Sequence, residues 1–79
     1  MRALCLVNTK PNTVDVVIQY IKKKNKIVKE IISVTGRADI GIIYQGTINE
    51  INNAVIDLKK IKEIVSTETM IEVEVNLGW

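Results

Sequence analysis

Residues 27–45 read IVKEIISVTGRADIGIIYQ. Two β-branched, aliphatic runs, residues 27–35 and 38–45, flank a break at Gly36, so the stretch predicts two strands joined by a hairpin. Gly36, Arg37 and Asp39 stand together in the break. A carboxylate at the entrance to an apolar strand needs a partner or water. Asp39 therefore makes this turn a place to look for chemistry as well as a change of direction. Gly41 interrupts the second run.

Working outward from the hairpin, each flank repeats one pattern. Before it, residues 2–9 (RALCLVNT) form a short apolar run, and Lys10, Pro11 and Asn12 supply a turn. Val14, Val17, Ile18 and Ile21 then recur at i, i+3, i+4 and i+7, one face of a helix. Asn12 with Asp15 resembles a capping box at its start. The run KKKNK (22–26) places cations at its negative pole, with Asn25 as a left-handed stop. After the hairpin, Thr47 and Glu50 match the S/T-x-x-E box, and Ile48, Ile51, Val55, Leu58 and Ile61 follow at helical spacing. Lys59, Lys60 and Lys62 favour its C-terminal end. Residues 65–75 alternate as a last strand: Thr67, Thr69, Ile71, Val73 and Val75 against Glu68, Met70, Glu72 and Glu74.

The order is thus βαββαβ, two βαβ units joined by the hairpin. Right-handed crossovers interleave such halves into one four-stranded antiparallel sheet with both helices on one face. The expected class is α+β, a ferredoxin-like sandwich formed by a single domain over residues 1–79. In the first three strands both alternating sets are apolar: Ala3, Cys5 and Val7 against Leu4 and Leu6; Ile32 and Val34 against Ile31; Ile40 and Ile42 against Ile43. A sheet with one wet face should alternate apolar with polar. The uncovered face is therefore an apolar patch, and it predicts a homodimer through the sheet.

Size points the same way. A chain of 79 residues buries roughly 60% of its unfolded surface, a marginal core. Its one cysteine, Cys5, closes no intrachain disulfide, and with no histidine a zinc site lacks ligands. A partner subunit is the remaining support. The net charge of +2 argues against a dedicated nucleic-acid binder, so no direct DNA contact is expected. Nothing reaches the length of a membrane span, and the first ten residues read as a strand rather than a signal peptide. One unpaired cysteine fits a reducing compartment, so a cytoplasmic protein is expected.

Catalysis has little to work with. The commonest general base is absent, and no serine or cysteine has an activating partner. Cys5 reads as a buried, inert thiol. Glu68, Glu72 and Glu74 read as a solvated strand face, and the lysine runs as helix ends and surface. The aromatics are Tyr20, Tyr44 and Trp79 alone, too few for a base-stacking sheet. No catalytic residue, cofactor or metal is expected; the residues do not read as an enzyme.

Three stretches carry a family resemblance: ALCLVNTKPN (3–12), VTGRADI (34–40) and STETMIEVEV (66–75). In order and spacing they resemble the RAM (regulation of amino-acid metabolism) effector domain of Lrp/AsnC "feast or famine" transcription regulators. The resemblance covers essentially the whole chain. It implies dimers paired sheet to sheet, further assembly into octamers, and an effector, usually an amino acid, held between dimers near the hairpin. Carried over to this sequence, the effector-binding positions are Thr35, Gly36, Arg37, Ala38 and Asp39, with Thr67 and Thr69 on the last strand and Ser66 and Glu68 beside them. Full-length regulators carry a helix-turn-helix before this domain. Residues 1–79 show none, which reads, if Met1 is the true start, as a stand-alone RAM domain with full-length regulators as candidate partners; a fragment of a longer regulator is the alternative. Ala38 departs from relatives that carry a larger, often aromatic residue.

The chemistry suits these residue types. An α-amino acid presents an ammonium, which Asp39 can meet, and a carboxylate, which needs several donors. Gly36, without a Cβ, lets backbone N–H groups approach that carboxylate. On the residues alone, the plainer reading is favoured, with Gly36 as a turn former and Asp39 as a hairpin cap or partner of Arg37; the family resemblance is what turns the balance toward an effector site. Two further roles stay open: a purely structural assembly partner of full-length regulators, and an ACT-like regulatory subunit of an amino-acid metabolic enzyme. Leu77 and Trp79 continue an apolar alternation, which suggests packing on a neighbouring subunit.

Overall fold

The computed structural model describes residues 1–73. Its elements are β1 (Arg2–Thr9), α1 (Val14–Lys24), β2 (Val28–Ser33), β3 (Ile40–Gln45), α2 (Ile48–Leu58) and β4 (Ile64–Ile71). The sheet order is β2-β3-β1-β4, every neighbour antiparallel. This is the expected ferredoxin-like βαββαβ arrangement. Alternation predicts β4 over 65–75; the strand spans Ile64–Ile71, and the remainder from 74 on, with Leu77 and Trp79, lies outside the described residues.

Strand alternation decides what is buried. Cys5 stands opposite Ile42 and Val7 opposite Ile40, all fully buried. Tyr44, opposite Ala3, completes this face, which packs against Val17 and Ile21 of α1 and Ile51, Ala54 and Leu58 of α2. Each large side chain buried here contributes about 1.5–3 kcal/mol relative to exposure. The opposite face carries Leu4 and Leu6, Ile43, Ile32 and Met70. Ile32 and Met70, on the two edge strands, are 46% and 45% exposed. Both helices belong to the Cys5 face, and among the described residues no element covers the other.

The second helix starts as its sequence predicts. Thr47 accepts a hydrogen bond from the Glu50 N–H at 3.2 Å, and Glu50 Oε1 accepts one from the Thr47 N–H at 2.8 Å. That closeness explains Gly46, where a Cβ would stand 2.9 Å from Glu50 Oε1. The first helix starts differently. Its cap is Thr13, with no side-chain capping bond, so the expected Asn12–Asp15 box does not form. Asn12 instead takes a left-handed backbone, φ 63°, to close the turn after Pro11. The Thr13 hydroxyl donates back to the Lys10 carbonyl at 2.7 Å. At the other end, Asn25 is extended (φ −121°, ψ 114°) rather than left-handed, because the chain turns straight into β2. Lys22, Lys23 and Lys24 do occupy the last turn.

Tyr44 is fully buried, and its hydroxyl has no partner among the described residues. Burial raises its pKa and keeps it neutral. Replacing Tyr44 with phenylalanine removes a desolvated hydroxyl and should leave stability unchanged or higher by about 1 kcal/mol, measured by urea unfolding. Thr47→Ala should cost about 1 kcal/mol. The Glu50 carboxyl is held below its usual range, chiefly by the Thr47 N–H. Its share of the box is therefore full above about pH 4.3, the ordinary glutamate value, and fades as the pH falls through the lowered one. The gap between wild type and Glu50→Ala should narrow in acid; a gap that widens would contradict the assignment.

Candidate functional site

The site begins where the central pairing of β1 with β3 ends, at Val7 opposite Ile40. One residue earlier in the hairpin, the Asp39 N–H donates to the Val7 carbonyl at 2.9 Å. This delivers the Asp39 carboxylate to the last residue of β1. The Thr9 N–H donates to Asp39 Oδ2 at 2.8 Å, with the Thr9 hydroxyl 3.4 Å from the same oxygen. Asp39 also closes the hairpin, accepting from the Val34 N–H through its carbonyl at 3.0 Å. The half-buried carboxylate thus ties the hairpin to β1. Its partner is Thr9, not Arg37 as one reading of the sequence allowed. Both bonds fall on Oδ2, and no donor among the described residues bonds Oδ1.

Arg37 reaches the other way. Its Nη2 lies 3.8 Å from Glu68 Oε1 on β4, both side chains largely exposed. A pair at that length and exposure holds weakly. Gly36 has φ 116°, so its turn role is real. Thr35 is exposed beside it, and Ala38 is buried at 4% exposure.

The β4 positions divide. Ser66 and Glu68 stand opposite Asn8 and Leu6 on the open sheet face, and the Asn8 side chain donates to Ser66 Oγ at 3.2 Å. Thr67 and Thr69 stand opposite Val7 and Cys5, facing the helices. The Thr69 hydroxyl donates to Cys5 Sγ at 3.4 Å, and Thr67 lines a hollow of about 280 Å³ with Lys59 and Ser66. The hairpin, Ser66 and Glu68 thus gather around the end of β1, while Thr67 and Thr69 look to the other side. Thr9, the residue that holds Asp39, escaped the sequence reading. The β1–β3 register would have found it, since it lies two residues past Val7, the last residue of β1 paired with β3.

A second hollow, about 270 Å³, opens on the sheet face between Leu4, Ile43 and Met70. Arg2 and Glu72 wall it, with Arg2 Nη2 and Nε 2.7 and 3.1 Å from Glu72 Oε2. Glu72, expected as a solvated strand carboxylate, is thus an ion-pair member, its pKa lowered mainly by the Arg2 hydrogen bond. Cys5 is fully buried, and burial raises its pKa despite the Thr69 contact. Among the described residues no three of His, Cys, Asp and Glu stand together as a metal site. No described helix is long and apolar enough to cross a membrane.

No family model and no curated protein matches this sequence. Solved structures match its fold closely. A Thermus thermophilus protein aligns with TM-score 0.85 at 22% identity, covering 95% of each chain. A hypothetical protein of Pyrococcus horikoshii aligns at 0.82 and 23%, over 98% of this chain and 94% of that one. AsnC of E. coli aligns at 0.81 and 22%, over 96% of this chain, which spans 52% of AsnC. Two more distant structures share the fold. One is a transcriptional regulator of Neisseria meningitidis in complex with L-Met (0.70, 14%), and the other the ACT domain of a Chlorobium tepidum GTP pyrophosphokinase (0.59, 12%). The resemblance read from the sequence and the likeness of the folds lead to the same structures.

Asp39→Ala should lose about 1 kcal/mol, the cost of leaving the half-buried end of β1 without its acceptor, whereas Asp39→Asn keeps an acceptor and should lose less. Equal losses in urea unfolding would deny the Thr9 tether.

Proposed function

We propose that this chain is a RAM-type effector and assembly module of amino-acid-responsive, Lrp/AsnC-like transcription regulation. It binds a small α-amino acid beneath the β2–β3 hairpin and pairs with a second copy through the open sheet face. Higher assembly, octameric in the resembling family, and full-length regulators are its proposed partners. It works in the cytoplasm by binding rather than catalysis, without DNA contacts of its own. The observation that carries this reading is the fold shared over nearly the whole chain with AsnC and with a regulator bound to L-Met.

The site has groups for both ends of an amino acid. Asp39 Oδ1 accepts the ammonium while Oδ2 stays with Thr9. Arg37 leaves its long contact with Glu68 and meets the carboxylate, joined by N–H groups of the turn that Gly36 keeps open. Ser66 and Thr35 border the space, Ala38 supports it from beneath, and a neighbouring dimer closes it. Thr67 and Thr69 act only as a second rim, reached from the helix side. Ligand acts by favouring the assembly state that binds it better.

Two observations favour rival readings. The Thr9 tether gives Asp39 a structural role, which suits a pure assembly partner. The likeness to an ACT domain suits a regulatory subunit of a metabolic enzyme. Calorimetry against the common α-amino acids should detect one or more ligands, weakened at least tenfold in Arg37→Ala. No heat from any of them would leave the assembly role alone. Co-purification of a regulator, rather than an enzyme, separates the other rival. Sedimentation should find a dimer at micromolar concentration, with Ile43→Glu monomeric, since a charge buried in the apolar face has no partner. A monomeric wild type would overturn the sheet-face contact.

A further inference from the structure

Two of the described glycines are explained by the chain itself. Gly36 has a left-handed backbone, and Gly46 leaves room for the Glu50 carboxylate. Gly41 has neither reason. It lies inside β3, without a positive φ, opposite Leu6 on one side and Ile32 on the other. The β1–β3 pairing is in unbroken register through it, and the irregularity in the β2–β3 pairing falls at Val28 and Glu30 instead. A Cβ built on Gly41 would find nothing within 4 Å. Glycine weakens a strand interior, and where no bulge or bend demands it, it marks a close approach by something outside the strand.

The alternation of β3 puts Gly41 on the open face, since Ile40 and Ile42 are buried under the helices. Gly41 is itself buried between its neighbours, yet a Cβ there would touch nothing, so its missing side chain leaves a small space between Leu6 and Ile32, with Ile43 two residues along. We propose that this notch is a socket for an aliphatic side chain of a second copy of this chain, and that glycine at position 41 sets which sheets may pair. The inference rests on the sheet-face dimer proposed above and names the feature that selects the partner. The surroundings suit a copy of the same face. An isologous contact must be self-complementary. This face carries an apolar centre with both charge signs around it, Arg2 and Arg37 among Glu30, Glu68 and Glu72. A uniformly acidic or basic rim would repel its copy; a mixed one can pair with it.

The substitution that tests this is harmless within one chain. Gly41→Val adds a β-branched side chain at a strand position where a Cβ meets nothing within 4 Å, so the folded monomer should be as stable or more stable. At a symmetric interface the added methyls meet the partner twice. Overpacking at both sockets should raise the dimer dissociation constant by roughly 30-fold or more, with Gly41→Ala intermediate. Sedimentation equilibrium reads the constant, and circular dichroism with thermal melting confirms the fold of each variant. A Gly41→Val protein that dimerises like wild type, while Ile43→Glu is monomeric, overturns the socket and keeps the sheet-face contact. A monomeric wild type overturns both. Should Gly41→Val fail to fold, Gly41→Ala alone decides: its dimer must be weaker than wild type.

Discussion

The register of β1 against β3 governs everything else in this fold. Cys5 opposite Ile42 and Val7 opposite Ile40 place the small and branched side chains under the helices. Because side chains alternate along a strand, a slip of one residue would turn Leu4 and Leu6 inward and expose Cys5 and Val7. Both alternating sets are apolar, so hydrophobic pattern alone discriminates poorly between the two registers. The hairpin resolves the choice with polar contacts at its end. The Val7 carbonyl accepts from the Asp39 N–H, and the Asp39 carboxylate accepts from Thr9. A side chain that looked misplaced at the mouth of an apolar strand is what sets that strand's position.

That economy links stability to the proposed site. One carboxylate oxygen, Oδ2, holds the register through Thr9, and the other is the one the proposed site would use. A ligand placed there would share an acid with the sheet pairing itself, so occupancy and hairpin order would be coupled. The physical route from effector to assembly is then short. The hairpin borders the open sheet face through Arg37 and Glu68, and that face is where a second copy is proposed to dock.

The open face also bears on size. A small chain with one cysteine and no histidine has a marginal core and few covalent or metal supports to draw on. Here the sheet holds a second apolar layer, from Ile32 on one edge to Met70 on the other, that two helices on the far side cannot reach. Covering it with another copy removes this surface from water and adds to each subunit what its own core lacks. The same layer would be a liability in isolation.

Much of this was legible in the residues. Helical spacing in 14–21 and 48–61, alternation in 65–71, and the Thr47–Glu50 box fix element order because each depends only on neighbours in the chain. The doubly apolar strands announced an uncovered face for the same reason. Local signals failed where two local demands competed. Asn12 could cap α1 or close the turn after Pro11, and the turn took it; Asn25 could stop a helix or enter a strand, and the short connection chose the strand. What only the tertiary structure decided depends on partners distant in sequence. Thr9 meets Asp39 across 30 residues and Arg2 meets Glu72 across 70. The sheet likewise divides Ser66 and Glu68 from Thr67 and Thr69 by face. Sequence alone determined which side chains alternate; pairing in space decided which side each set faces, because register is a property of two strands and is written in neither.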